Sequence, residues 1–116
     1  MPTKPTTTEA RVREYERRML RAAFVSLFWG VVRERRRSGK YTLQSLADAI
    51  GRDKSAVSRW FSDEPNWELD TISDIANALD LDIRIEGYER STGKRFTPEG
   101  LLPPSGSRPL KVSRGQ

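Results

Sequence analysis

The chain lacks both cysteine and histidine over its 116 residues, so it has neither thiolate nor imidazole groups. This absence excludes disulfides, the common zinc sites and catalysis by a histidine-activated nucleophile. Long apolar runs are also missing, because the longest, residues 22–32, is interrupted by Ser26 and Gly30 and is too short to cross a bilayer. The polar N-terminus contains no apolar signal core. We therefore expect a cytoplasmic protein with no metal site, no cofactor and no membrane partner.

The charge of the chain is distributed unevenly along its length. The net charge is +5, from 21 basic and 16 acidic residues. Residues 1–41 contain eleven basic and four acidic residues, residues 42–82 contain three and nine, and residues 83–116 contain seven and three. Two basic ends therefore flank an acidic centre. Such ends favour an anionic partner, either nucleic acid or a membrane surface, and are also compatible with a role in solubility alone.

The N-terminal third predicts one long helix or two abutting ones. Residues 1–8 are rich in proline and threonine and predict disorder, whereas residues 9–37 contain no proline and are dominated by strong helix formers. Gly39 suits the left-handed position that ends such a helix. Val25 and Trp29 lie outside the apolar stripe and predict a second packing partner, either a later segment or another subunit. The stripe consists of Leu20, Phe24, Leu27, Phe28, Val31 and Val32.

Residues 42–61, TLQSLADAIGRDKSAVSRWF, have the layout of two short helices joined by a tight turn. Thr42 is suited to the N-cap of the first helix. Ala47 is small enough for the two helices to cross closely, and Gly51 supplies the turn. Val57, ten residues after Ala47, packs the second helix onto the first. This spacing predicts a helix-turn-helix.

The remainder of the chain predicts a further helix and a less regular end. Residues 62–68 predict a loop, and residues 69–79 predict an amphipathic helix because apolar side chains recur at steps of three and four. Residues 82–97 predict a β-hairpin, since alternating residues are followed by a polar turn and a second short run. Residues 98–116 are rich in proline, glycine, serine and basic residues and predict a flexible basic tail.

The segment 42–61, together with the pattern Leu-x-x-Ile-x-x-Ile-Ala-x-x-Leu at residues 69–79, resembles the lambda-repressor-like (Cro-like, XRE) helix-turn-helix family. Counted from Leu20, the resemblance covers about half of the chain. It implies an all-α fold, a bundle of four to five helices over residues 9–81, to which the sequence adds a short C-terminal β-hairpin. The partner that it implies is double-stranded DNA.

The resemblance also assigns roles to individual residues. The recognition helix corresponds to residues 54–61, and its exposed positions are expected to read base edges in the major groove. Other polar residues near the two helix starts are expected to contact phosphates. The base-reading residues are Lys54, Ser55, Ser58 and Arg59. The phosphate-binding residues are Lys40, Thr42, Gln44, Arg52 and Ser62.

Four functions are compatible with these features. The family resemblance implies a sequence-specific transcriptional regulator, most simply a repressor, that binds two half-sites as a homodimer. The alternative is an antitoxin that autoregulates its operon and binds a toxin through an added arm. Enzymatic activity is disfavoured, because acidic pairs such as Asp63 and Glu64 lie in a loop with no pocket signal. A membrane-surface role for the basic N-terminal helix is less favoured than burial of its apolar stripe.

Overall fold

A computed structural model of the chain describes residues 6–63 and 65–103, and the chain divides into two compact units after Asp82. No helix in these ranges is both long enough and apolar enough to cross a membrane. The predicted all-α class with a small strand region is confirmed. The first unit contains four helices, α1 (Thr7–Ser38), α2 (Leu43–Ile50), α3 (Lys54–Ser62) and α4 (Leu69–Ala78). The second contains three short strands, β1 (Gly87–Tyr88), β2 (Arg95–Thr97) and β3 (Gly100–Leu101).

Helix α1 is a single helix of 32 residues. It begins at Thr7, whereas the sequence predicted disorder through Thr8. The reason is a capping box, in which the Glu9 amide donates to the Thr6 hydroxyl and the Thr6 amide donates to the Glu9 carboxylate. At the other end α1 stops at Ser38 as expected, but Gly39 is extended (φ −165°, ψ −150°) instead of left-handed.

The core of the first unit forms where the second half of α1 meets the three shorter helices. Phe24, Phe28 and Val32 line the packed side of α1, whereas Leu20 and Leu27 are 64% and 45% exposed. The predicted stripe was therefore wrong at Leu20 and Leu27, because the buried face is rotated away from them. The fully buried side chains are Phe28, Val32, Leu46, Ala47, Val57, Ile75 and Leu79.

An aromatic cluster closes one side of this core. Trp67, in the loop before α4, lies 5.6 Å from Phe28, 5.7 Å from Trp60 and 6.5 Å from Phe61, measured between ring centroids. Trp29 packs on Phe61 at 5.2 Å. Aromatic pairs at such distances stabilise a fold beyond the area that they bury. Trp29 therefore has a packing partner in a later segment of its own chain, which is one of the two alternatives predicted from its position.

The end of α4 is held by both local and long-range hydrogen bonds. Asp80 adopts a left-handed conformation (φ 59°), and the Leu81 amide donates to the Ala76 carbonyl at 2.8 Å. This pattern is that of a Schellman motif with aspartate in the position that glycine usually takes. The guanidinium of Arg35, from α1, donates to the Leu79 carbonyl. An arginine from α1 therefore fixes the C-terminal end of α4.

The second unit is a small antiparallel sheet in the order β1-β2-β3. The predicted hairpin forms between β1 and β2, with Gly87 opposite Phe96, but residues 82–86 are not strand. Continued pairing would bring Pro98 into the ladder, and proline lacks the amide that the ladder needs. The chain turns there instead and forms β3, within the segment predicted as a flexible tail. Residues 104–116 of that predicted tail lie outside the described residues.

Candidate nucleic-acid interface

Helices α2 and α3 and the turn between them have the geometry expected of a helix-turn-helix. Gly51 is left-handed (φ 71°), and the Arg52 amide after it donates to the Ala47 carbonyl at 2.9 Å. Ala47 and Val57 are fully buried, as their predicted roles in helix crossing and packing require. Because Ala47 carries only a methyl group, the two helices can approach closely at this point. Local backbone geometry and burial therefore fix the orientation of α3 on α2.

The four residues predicted to read bases form one exposed face of α3. Lys54, Ser55, Ser58 and Arg59 are all exposed, while Val57 on the opposite side is fully buried. The spacing of one and three residues places these four side chains within about 140° of the helix circumference. Their chemistry is that of two cations and two short hydroxyls, which suits base edges and phosphates. The structure thus brings the predicted base-reading residues together.

The residues predicted to contact phosphate lie around the starts of α2 and α3 and at the end of α3. Lys40 is exposed in the segment between α1 and α2. Thr42 is the N-cap of α2, and its hydroxyl accepts from the Ser45 amide at 3.1 Å. The side-chain amide of Gln44 donates to the Asp48 carboxylate at 2.7 Å. Thr42 and Gln44 therefore already have partners within α2, so a phosphate contact by either side chain would have to share or replace those bonds.

Arg52 and Ser62 differ in how far they are available to a ligand. The Arg52 guanidinium lies over the Trp60 ring, 5.4 Å from its centroid, within the range of a cation–π interaction. This contact holds the side chain beside α3 while its donors remain exposed. The Ser62 hydroxyl instead donates to the Arg59 carbonyl at 3.2 Å, closing the last turn of α3. Its role in the structure is thus to end the helix.

Several cations that the sequence associated with DNA attraction are engaged in the fold. Arg35 binds the end of α4 and lies over the Tyr41 ring, 5.9 Å from its centroid. Arg36 lies over Trp29 at 5.9 Å, and Arg37 pairs with Glu34 at 3.8 Å. In the second unit the Arg95 guanidinium makes two hydrogen bonds to Glu86. The charge count along the sequence therefore overstates the positive charge that is available to a ligand.

The ion pair between Glu86 and Arg95 also shifts the pKa of both groups. The hydrogen bonds from Arg95 lower the pKa of the Glu86 carboxyl, and the same bonds raise the pKa of Arg95. Both groups therefore remain charged throughout the pH range in which DNA binding is ordinarily measured. Their pairing is a feature of the small sheet.

Acidic side chains follow α3 in sequence and are exposed. Asp70 and Asp74 extend from α4 into solvent, and α4 packs against α2. This negatively charged surface would repel a DNA duplex, whereas the cations on α3 would attract it. The exposed carboxylates of this group are Asp63, Glu68, Asp70, Asp74, Asp80 and Asp82. Glu64, which follows Asp63 in the sequence, lies outside the described residues.

Two residues important for this site were not predicted from the sequence. Trp67 packs edge-on against Trp60, and so supports the side of α3 that faces away from the base-reading residues. Ser45 completes the capping box of α2 with Thr42. For Trp67, a tryptophan in an otherwise polar loop was a visible signal in the sequence. A serine three residues after Thr42 carries a weaker signal, because glutamate or glutamine is the usual partner in a capping box.

The comparison with known families agrees with this geometry. A family model described as helix-turn-helix matches residues 32–85, from the end of α1 to just beyond α4. Searches of curated proteins and of solved structures gave no significant match. The resemblance inferred from the sequence is thereby confirmed. Residues 32–85 belong to the Cro/C1-type (XRE) helix-turn-helix family, and the chain carries the DNA-binding domain of that family.

Proposed function

We propose that the protein is a sequence-specific transcriptional repressor that inserts α3 into the major groove of double-stranded DNA. The observation that carries this proposal is the single exposed face formed by Lys54, Ser55, Ser58 and Arg59, opposite the buried Val57. Repression follows most simply from occupation of a promoter by the bound protein. DNA as the ligand also implies a cytoplasmic protein, and we assign it no catalytic residue, metal or cofactor.

Arg59 is the residue proposed to contribute most to base specificity. Its guanidinium can donate two parallel hydrogen bonds to O6 and N7 of guanine, which discriminates against other bases by about 1–3 kcal/mol. Lys54 can reach a base or a phosphate as a point charge. Ser55 and Ser58 have short hydroxyls that fit either kind of acceptor, so they add contact with less discrimination.

The proposed phosphate contacts surround this face. Arg52 is exposed and held by Trp60 beside α3, and Lys40 is exposed before α2. The backbone amides at the start of α2 add donors that suit a phosphate. Thr42, Gln44 and Ser62 complete the proposed set, with their present hydrogen bonds as competitors. These contacts would position the domain without reading sequence.

The test begins with selection of bound sites from random DNA, which gives a base preference at each position. Arg59→Ala should then abolish the preference at one position of each half-site, with a loss of about 1–3 kcal/mol for the selected base. Arg52→Ala is the matched control, because loss of a phosphate contact should weaken binding to all sequences and reduce the salt slope by about 1. An Arg59→Ala variant with an unchanged base preference would contradict the role proposed for Arg59.

The antitoxin alternative adds a protein partner to the same DNA-binding activity. No contact within residues 6–63 and 65–103 favours a toxin over another ligand, so the regulator remains our proposal. Co-purification of a second small protein with the tagged chain from its native cells would favour the antitoxin instead.

Regulators of this size gain affinity by binding two half-sites, so we also propose that the protein acts as a homodimer.

A further inference from the structure

The first half of α1 extends beyond the packed helices. Every residue of Thr7–Leu20 is exposed, and this segment of 14 residues is about 21 Å long. Helical segments of that length are marginal in water without packing. Nevertheless it carries large apolar side chains in solvent, with Val12, Tyr15 and Met19 at 54%, 60% and 51% exposure. Such exposure along one helix indicates a surface that binds a partner.

Three of the large apolar residues of this segment lie on one face together with Ala22, whereas Leu20, which is 64% exposed, lies about 120° away from them. Val12, Tyr15, Met19 and Ala22 follow one another at steps of three, four and three, the spacing of a coiled-coil interface. We call these four residues the α1 seam. At 100° per residue, the seam points about 160° away from the side of α1 that packs on the helical core. A shallow groove lined in part by Tyr15, Met19 and Ala22 runs along it. A second helix can therefore pack on the seam without displacing the core.

We propose that the α1 seam packs against the same seam of a second copy of this chain, as a parallel, in-register pair of helices. The proposal deepens the proposed function, because it specifies the surface that would join two DNA-binding domains. In heptad terms Val12 and Met19 take the a positions, and Tyr15 and Ala22 take the d positions. A β-branched residue at an a position is compatible with a two-stranded assembly.

The charges beside the seam select the parallel orientation. Arg11 and Arg18 border one edge, and Glu9 and Glu16 border the other. In a parallel pair the two edges meet, so Arg11 faces Glu16 of the partner subunit and the reciprocal contact forms by symmetry. In an antiparallel pair each edge meets its own equivalent, which brings arginine to arginine and glutamate to glutamate. Only the parallel arrangement is electrostatically complementary.

Glu14, at the rim of the groove, is paired within its own helix. Its carboxylate lies 3.5 Å from Arg21 and 3.8 Å from Arg17. The seam ends after Ala22, because the next d position, Trp29, packs on Phe61 of its own chain. Two heptads give a weak dimer that still forms without DNA, and joint contacts of the two copies with DNA would strengthen it.

Single cysteines test the orientation directly, because the natural chain contains none. Val12→Cys and Ala22→Cys lie at the two ends of the seam, about 15 Å apart along the helix. A parallel pair should form a disulfide between identical positions in both variants under mild oxidation without DNA. Ala10→Cys, which is exposed outside the seam, is the matched control and should remain unlinked. Circular dichroism should give the same helical content for all three variants.

Reversing single charges tests the proposed contact between Arg11 and Glu16 of the partner subunit. Arg11→Glu and Glu16→Arg should each raise the dissociation constant of the homodimer about three- to tenfold, because like charges then meet. Mixing the two variants should restore association, since both contacts become attractive in the mixed pair. This rescue requires a contact between subunits and would not follow from a change within one helix.

Three results would overturn the proposal. These are disulfides in neither seam variant, a disulfide in only one of them, and equal cross-linking of the Ala10→Cys control. The DNA-binding proposal is tested separately, because the cross-linking uses no DNA. Normal recognition of selected duplexes by a chain that does not cross-link would reject the seam and leave the role of α3 intact. Cross-linking by a chain that does not recognise DNA would do the reverse.

Discussion

At the residue scale, Gly51 has the clearest single requirement in the structure. It holds a left-handed backbone between α2 and α3, where the amides of Gly51 and Arg52 bond back to the end of α2. A side chain at this position is strained even though no described atom lies within 4 Å of the place that a Cβ would take. The requirement is therefore one of backbone conformation and not of space.

Gly51→Ala should lower the free energy of unfolding by about 1 kcal/mol, because a left-handed backbone is unfavourable for residues with a Cβ. Gly30→Ala is the matched control. Gly30 lies inside α1 with no described atom within 4 Å of an added Cβ, so alanine should raise the free energy of unfolding by about 0.5–1 kcal/mol. Urea denaturation of both variants measures these changes. Equal effects of the same sign would contradict this explanation.

Tyr41 is a second residue whose local environment has a measurable consequence. Its hydroxyl is buried and has no hydrogen-bond partner within the described part of the chain. Burial raises the pKa of Tyr41, and the positive charge of Arg35 partly opposes that rise. The folded state therefore holds the phenol proton more tightly than the unfolded state does. The resulting stability is complete below the unfolded pKa of about 10 and is lost as pH rises through the folded pKa.

Tyr41→Phe should raise the free energy of unfolding at neutral pH by up to about 1 kcal/mol, because it removes an unpartnered buried hydroxyl. It should also reduce the loss of stability above pH 10, since the titrating group is gone. Urea denaturation at pH 7 and at pH 10.5 measures both effects. Tyr88→Phe, at a position that is 63% exposed, is the matched control and should leave the free energy of unfolding at pH 7 unchanged. The same alkaline loss in Tyr41→Phe and in the natural chain would contradict this assignment.

At the element scale, α1 has two different roles along one continuous helix. Its second half packs on α3 and the aromatic cluster, while its first half is exposed from Thr7 to Leu20. A long-range hydrogen bond joins α1 to the end of α4, because the guanidinium of Arg35 donates to the Leu79 carbonyl. The carbonyls at a helix end lack partners within the helix and carry the negative end of its dipole. Arg35 is therefore suited to hold the end of α4 against α1.

Arg35→Met should lower the free energy of unfolding by about 1–2 kcal/mol, because methionine keeps much of the side-chain volume but cannot donate to the Leu79 carbonyl. Arg33→Met, two residues earlier on the exposed side of α1, should change it by less than about 0.5 kcal/mol. Denaturation in urea compares the two variants. A loss in Arg33→Met as large as that in Arg35→Met would indicate a general effect of charge.

At the scale of the whole molecule, positive charge is separated along the chain from the residues proposed to read DNA. The segment 42–82 is acidic overall, yet it contains the exposed face of α3. Arg35, Arg36 and Arg95 are engaged within the fold, so the remaining cations at the two ends contribute most to attraction of a polyanion. Specificity and electrostatic affinity would then come from different parts of the chain.

Removal of residues 104–116 deletes Arg108, Lys111 and Arg114 and leaves the three strands intact. If the predicted basic tail contacts phosphates, the truncated chain should bind all DNA sequences more weakly, and the slope of log affinity against log salt should decrease by up to about 3. Its base preferences should stay the same. A chain in which these three residues are replaced by serine separates charge from length. An unchanged salt slope in both would show that the tail does not bind phosphate.

Much of the helix-turn-helix could be predicted from the sequence because its signals are local. The Thr42 cap, the Gly51 turn and the burial of Ala47 and Val57 follow from backbone preference and from spacing along a helix. The exposed face of α3 follows from the same period. Segment β3 could not be predicted, because a strand of two residues depends on a partner that exists only once β2 has formed.

The sequence by itself thus determined the order of the helices, the turn between α2 and α3, and the residues that α3 exposes. Only the tertiary structure decided that Leu20 and Leu27 remain exposed, that Trp67 completes the core, and that Arg35 holds the end of α4. The physical reason is the range of the interactions. Caps, turns and helical periodicity act within a few residues, whereas the rotation of α1 and the partners of its side chains depend on contacts between segments distant in sequence.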